Sequence, residues 1–149
     1  ARAELVAAEV SLQRAHEVNP EETGALLALG EIALMLGDLT RAEERLSAVC
    51  SANPRAAGGL FLLGYLRWKQ GAQADAEGLL ARTRLALGQD WKPIGSSAEG
   101  DVTGKAHEDT TPLARFIGEW NGHQQPAEAY RALDRHLRDL SAGKARRSR

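Results

Sequence analysis

The chain has 149 residues, which is enough for one domain with a buried core. Its 19 lysines and arginines nearly balance its 20 aspartates and glutamates, so the composition argues against a dedicated nucleic-acid-binding surface. No stretch approaches about 18 uninterrupted apolar residues, so no membrane span is expected. The single cysteine, Cys50, excludes an internal disulfide and leaves the compartment open, with the cytoplasm favoured over the periplasm.

A repeat with a period of 34 residues runs through positions 1–88. The residues that recur at this spacing are Pro20 and Pro54, Leu26 and Leu60, Leu29 and Leu63, Gly30 and Gly64, Gly37 and Gly71, Ala42 and Ala76, and Leu46 and Leu80. Such a period predicts a stack of helix pairs, in which each unit buries its apolar face on the next. The two complete units span residues 21–54 and 55–88.

The first segment, residues 1–20, is predicted to be the second helix of a truncated repeat. Ala8 and Leu12 lie one period before Ala42 and Leu46. Because the first helix of that unit is missing, the apolar side chains of this segment would be exposed. The chain also begins without a methionine or a leader segment, so we expect it to continue upstream or to be covered there by another molecule.

Each complete unit is predicted to contain two helices joined by a tight turn. In the first unit, a helix over residues 24–36 ends at Gly37, because glycine readily adopts the left-handed conformation that ends helices. Asp38 or Thr40 is expected to cap the second helix, which ends before Pro54. The second unit repeats this order of helix, glycine turn and helix.

These residues resemble the tetratricopeptide repeat family, whose units carry a large residue, Leu-Gly, another large residue, Ala, a large apolar residue and Pro in that order. The matching positions are Leu26, Leu29, Gly30, Ala33, Ala42, Leu46 and Pro54 in the first unit, and Leu60, Leu63, Gly64, Arg67, Ala76 and Leu80 in the second. Ala33 and Arg67 stand where the family prefers tyrosine, and Gly88 replaces the final proline. The resemblance implies an all-α fold, an α-solenoid of antiparallel helix pairs, and a role in binding other proteins.

Three further segments follow the repeats. Residues 89–110 have no helical or strand period and are predicted to form an irregular insert or loop. Residues 111–141 are predicted to form a helix pair, with Thr111 as a cap, Pro112 in the first turn, and a second helix from Pro126. The apolar residues on one face of that second helix are Ala127, Tyr130, Leu133, Leu137 and Leu140. We interpret the pair as a C-terminal helical cap or a degenerate third repeat, followed at residues 142–149 by a basic disordered tail.

No motif in the sequence indicates catalysis or a cofactor. Gly100, Gly104 and Lys105 do not have the spacing of a phosphate-binding loop, and Ala106 replaces its Ser or Thr. The polar residues that could gather around a metal, but lack the spacing of metal ligands, are His107, Glu108, Asp109 and His123. We therefore predict no catalytic residues, no metal site and no cofactor.

The first helix of each repeat lines a concave groove in tetratricopeptide arrays, and the resemblance implies the same here. The corresponding residues are Leu27, Glu31, Leu34 and Met35 in the first unit, and Phe61, Tyr65, Trp68 and Lys69 in the second. Some relatives grip a terminal carboxylate with Asn and Lys, but this chain has Leu27 and Glu31, then Phe61 and Tyr65, at those places. The groove is therefore expected to bind an apolar or aromatic-anchored segment.

The chain itself could also cover the aromatic residues of this groove. The segment that contains Trp91, Pro93 and Ile94, or the helix over residues 126–140, could lie in it. We give this alternative the same weight as the binding of an external partner, because an uncovered aromatic stripe would promote aggregation.

The favoured function is a protein–protein interaction scaffold that binds a protein or peptide of unknown identity. The richness in Ala, Leu, Arg and Gly is typical of bacterial proteins. Two alternatives remain open: a non-catalytic segment of a larger multidomain enzyme, and a self-association module. In the second alternative, the N-terminal helix of one copy packs on the C-terminal end of another, which gives a homo-oligomer.

Overall fold

A computed structural model describes residues 2–88, 112–120 and 125–147, and all regular secondary structure in these ranges is α-helical. The helices are α1 (Arg2–Val18), α2 (Thr23–Leu36), α3 (Leu39–Ala52), α4 (Ala57–Lys69), α5 (Gln73–Leu87), α6 (Ala114–Glu119) and α7 (Pro126–Arg147). The predicted all-α class is therefore confirmed. The predicted insert at 89–110 lies outside the described residues, as do Trp91, Pro93, Ile94 and the rejected metal ligands.

The turns between helices reproduce the period of the sequence in the backbone. Gly37 and Gly71 both adopt left-handed conformations, with φ of 83° and 84°. In each case, the next residue donates its amide hydrogen to the carbonyl oxygen five residues earlier, at 2.9 Å, which satisfies the end of the preceding helix. Asp38 then caps α3, because its carboxylate accepts a hydrogen bond from the Arg41 amide at 3.1 Å. This cap was one of the two that the sequence predicts.

Successive helices from α1 to α5 contact each other, and glycines set the spacing between α2 and α3 and between α4 and α5. A Cβ added to Gly30 in α2 would lie 3.7 Å from the Arg45 Cβ and 2.8 Å from the Leu46 Cδ2 in α3. A Cβ added to Gly64 in α4 would lie 3.3 Å from the Leu79 Cβ in α5. Since Gly64 and Leu79 follow Gly30 and Arg45 by one period, the two units pair their helices in the same way.

Helix α1 packs on α2 but has no fully buried residue. Val6 and Val10 are 44% and 53% exposed, in keeping with the expectation that this helix presents apolar surface. A partly buried ion pair joins α1 to α3, since Arg45 Nη1 lies 2.9 Å from Glu9 Oε2.

The C-terminal helices pack against the helices of the two repeat units. α6 contacts α4, and α7 contacts α2, α4 and α5. α6 begins at Ala114, later than the predicted start near Pro112, while α7 begins at Pro126 as expected. α7 also continues to Arg147, beyond the predicted boundary at residue 141, because Ala, Lys and Arg favour helix and basic residues suit a helix C-terminus. No described helix combines the length and apolar character that a membrane-spanning helix requires.

We predict that Gly30→Leu destabilises the protein by at least about 1–3 kcal/mol, because the new side chain would enter space held by the buried Leu46. The matched control is Gly78→Ala in α5, where an added Cβ meets nothing within 4 Å. This control should raise stability by about 0.5–1 kcal/mol, since alanine is the better helix former. Urea unfolding followed by circular dichroism would measure both changes. Equal effects at the two sites would contradict the close approach of α2 and α3.

Candidate functional site

Most of the groove residues predicted from the sequence are not on an open surface. Phe61 and Tyr65 are buried, with 0% and 2% exposure, and Glu31 and Leu34 are equally inaccessible. The remaining predicted lining residues are the half-buried Leu27, Met35 and Trp68 and the exposed Lys69. The expectation of an open aromatic stripe is therefore corrected at Phe61 and Tyr65, where the alternative of a groove covered by the chain itself describes the structure.

Aromatic side chains from the C-terminal part of the chain cover this stripe. Tyr130 of α7 lies with its ring centroid 5.0 Å from that of Phe61 and 5.8 Å from that of Tyr65. Trp120, which follows α6, lies 5.7 Å from Phe61. Trp68 lies at the edge of the same cluster, 6.1 Å from Tyr130. Tilted contacts at these distances are typical of favourable aromatic packing.

The hydroxyl of Tyr130 makes a close contact between α7 and α4. It donates a hydrogen bond to the Phe61 carbonyl oxygen at 2.7 Å. It also occupies the space beside Gly64, where an added Cβ would collide with it. Burial raises the pKa of Tyr130 well above its ordinary value, so the hydroxyl keeps its proton and remains a donor. The repeat pattern includes Gly64, but it does not indicate this contact with α7.

A cluster of charged side chains at the end of α4 holds the turn of α7 that follows Tyr130. Asp134 Oδ1 accepts hydrogen bonds from the Tyr65 hydroxyl at 2.7 Å and from Lys69 Nζ at 2.9 Å. Asp134 Oδ2 lies 2.9 Å from Arg138 Nη2. Burial alone would raise the pKa of Asp134, but the bonds from Lys69 and Tyr65 and the charges of Lys69 and Arg138 hold it below its ordinary value. Two predicted groove residues are thus engaged by α7.

Sequence analysis did not identify Asp134, although a signal for it existed. Asp134 and Arg138 are spaced i, i+4 on α7, which is the spacing of a helix ion pair, and both adjoin the apolar face that contains Leu133 and Leu137. A carboxylate at the border of an apolar face is a candidate for a partly buried ion pair.

Glu31, which the sequence predicts to line the groove, is also placed differently from that expectation. It is 1% exposed, and its Oε2 accepts a hydrogen bond at 3.3 Å from the Leu113 amide, just before α6. The carboxylate therefore serves the attachment of the C-terminal segment, because a buried charge requires polar partners.

One end of the predicted groove remains open as a cleft of about 480 Å³. We call it the α2–α4–α7 cleft, and its lining residues are Leu34, Met35, Gly37, Leu39, Tyr65, Lys69, Asp134, Leu137 and Arg138. Four of these residues were predicted as groove residues from the sequence. Its walls are largely aliphatic, and charged groups from α4 and α7 stand at one side. Such a surface can hold an apolar side chain together with a polar or charged group.

Other reactive side chains in the described part of the chain do not form a second candidate site. Cys50 is half-buried, and desolvation raises the pKa of its thiol, which disfavours the nucleophilic thiolate. Within residues 2–88, 112–120 and 125–147, no group of three or more His, Cys, Asp or Glu side chains is arranged to hold a metal ion.

No family model, no curated protein and no solved structure matches the chain. The resemblance to tetratricopeptide repeats therefore depends on the internal period and its residue pattern.

We predict that Gly64→Ala and Tyr130→Phe are strongly coupled. In the wild type, the new methyl group at residue 64 collides with the Tyr130 hydroxyl and should destabilise the protein by about 1–3 kcal/mol. In the Tyr130→Phe background the hydroxyl is absent, so the same change should cost much less. A double-mutant cycle measured by urea unfolding should give a coupling energy of about 0.5–3 kcal/mol. Additive effects would contradict the docking of Tyr130 beside Gly64.

We predict that Asp134→Asn removes part of the acid sensitivity of the fold. The pKa of Asp134 is lowered in the folded state from its ordinary 3.8, so its charge stabilises the fold above that value. This contribution is lost as pH falls through the lowered pKa. The stability difference between wild type and variant should therefore shrink as pH falls from about 4 toward 2. Urea unfolding across this range would measure it, with Asp139→Asn on the exposed side of α7 as control. A pH-independent difference would contradict the ion pairs.

Proposed function

We propose that this protein is an interaction module of the tetratricopeptide type, a short α-solenoid that binds an extended segment of a partner protein. The period of 34 residues supports this proposal, since it recurs in the turn glycines and in the close contacts of Gly30 and Gly64. The order of helix contacts from α1 to α5 also agrees with stacked helix pairs.

The observation that carries the proposal is the α2–α4–α7 cleft. It lies where the first helices of successive units meet, which is the lining of the groove in the family that the sequence resembles. Met35 and Leu137 offer aliphatic surface in it, and Lys69 and Arg138 offer hydrogen-bond donors. A preformed cleft of this kind binds at low cost in conformational entropy, because its walls are already held by packing.

The same groups do not favour catalysis, and the proposal assigns the cleft no chemical step. The carboxylate of Asp134 is engaged by Tyr65, Lys69 and Arg138, so it is not poised as a general base. The hydroxyl of Tyr65 has its pKa raised by burial and by the bond to Asp134, so it is a poor nucleophile. Recognition is therefore the better use of these side chains.

The C-terminal helices would then complete the binding surface as well as cover the aromatic stripe. Tyr130 fills the part of the groove that contains Phe61 and Tyr65, which leaves the cleft as the accessible part. Asp134, Leu137 and Arg138 supply one wall of it. A partner would contact α2, α4 and α7 together, so binding requires α7 in place.

Selection from a library of random peptides of about 12 residues, displayed on phage against the full chain, would test the proposal. We expect enriched peptides whose affinity falls by about tenfold or more in Met35→Glu, because this change replaces an apolar side chain in the wall of the cleft with a charged one. Leu85→Glu is the matched control, since Leu85 is 76% exposed on α5 and lies outside the cleft. The absence of any enriched peptide that depends on Met35 would overturn the proposal.

A further inference from the structure

We propose that the α2–α4–α7 cleft selects a partner segment in which a bulky apolar residue lies two positions from an acidic one. This inference depends on the proposed function of the cleft as a peptide-binding site, and it specifies the chemistry of the peptide. Three observations support it: the aliphatic walls of the cleft, the net positive charge of its charged cluster, and the engagement of its acceptor groups in existing hydrogen bonds.

The aliphatic part of the cleft has room for a partner side chain. Met35 and Leu137 are only half-buried, although both pack against the core, and Leu39 at the mouth is 43% exposed. Methionine is flexible and polarisable, so Met35 can adapt to different bulky side chains. A Leu, Ile, Met or Phe of a partner would remove this remaining apolar surface from water.

The charged side of the cleft carries two cations and one anion. Lys69 and Arg138 both pair with Asp134, which leaves a net charge of about +1 in the cluster. Both oxygens of Asp134 already accept hydrogen bonds or ion pairs. In contrast, an ammonium group has three donors and a guanidinium five, and most of these are not used by Asp134. The spare capacity of the cluster therefore consists of donors, which favours an anionic acceptor.

Other acceptors beside the cleft are engaged elsewhere. Asp38, next to Gly37 of the cleft, uses its carboxylate on the Arg41 amide and lies 3.9 Å from the Arg41 Nε. The carbonyl oxygens of Leu34 and Ala33, near the end of α2, accept hydrogen bonds from the amides of Gly37 and Asp38. A basic partner residue would therefore find these acceptors already engaged, whereas a carboxylate would find two cations.

The spacing of the two features favours an extended segment. Asp134 holds the ammonium group of Lys69 at 2.9 Å and lies in the same cleft as Leu137, so the cationic and aliphatic parts adjoin each other. In an extended peptide, side chains two residues apart point to the same side and are separated by about 7 Å. An acidic residue two positions from the apolar residue can thus reach Lys69 or Arg138. Asp134 acts as a positioning residue for both cations.

The experiment uses the peptides selected through the Met35-dependent cleft. We expect them to share an apolar residue two positions from Asp or Glu. The strongest fluorescently labelled peptide should lose about fivefold to tenfold in affinity when its acidic residue becomes the amide, measured by fluorescence anisotropy. Lys69→Met and Arg138→Met should weaken the acidic peptide by a similar factor but leave the amide peptide unchanged. Arg82→Met, on α5, is the matched control and should change neither.

The use of two cation variants separates recognition from folding. Arg138 has a side chain that is 75% exposed, so Arg138→Met retains the fold even if Lys69→Met disturbs it. Peptides that depend on Met35 but lack an acidic residue, or that bind equally well as amides, would overturn this inference and leave the proposed function standing. The absence of any Met35-dependent peptide would overturn both.

Discussion

The structure depends on the seating of Tyr130 against α4. Its hydroxyl reaches the Phe61 carbonyl only because Gly64 has no side chain, and its ring covers Phe61 and Tyr65. Without this contact, aromatic side chains that are now inaccessible would face water, which is the ordinary cause of aggregation in helical repeats. The glycine that spaces α4 from α5 thus also admits the residue that anchors α7.

The position of α7 divides the face formed by α2 and α4 into a closed part and an open part. Around Phe61 the face is filled by aromatic rings, so it belongs to the core. Around Met35 the face is open, and the charged cluster of Asp134 stands at its side. The closed part contributes to stability and the open part stays accessible, which explains how two residues of one predicted groove, Tyr65 and Met35, come to have different environments.

The sequence predicted well those features that depend on local interactions. The ends of α2 and α3 follow from Gly37, Asp38 and Pro54, which act on their immediate neighbours. The sequence also indicated the apolar face of α7 but not the surface on which that face packs. Tyr130 and Phe61 are 69 residues apart, and nothing in their local patterns links them. The same holds for Glu31, whose burial depends on a segment 82 residues away. Two opposite outcomes for the groove were therefore equally compatible with the sequence.

The contacts of α7 also change the cooperativity of the molecule. In a simple repeat array, each unit touches only its neighbours, so units can be lost or melt in succession. Here one helix contacts α2 in the first unit and both α4 and α5 in the second. The packing free energy of that helix is therefore shared between the units, and neither unit can unfold alone without losing part of this packing. α7 thus joins the two repeat units into one cooperative unfolding unit.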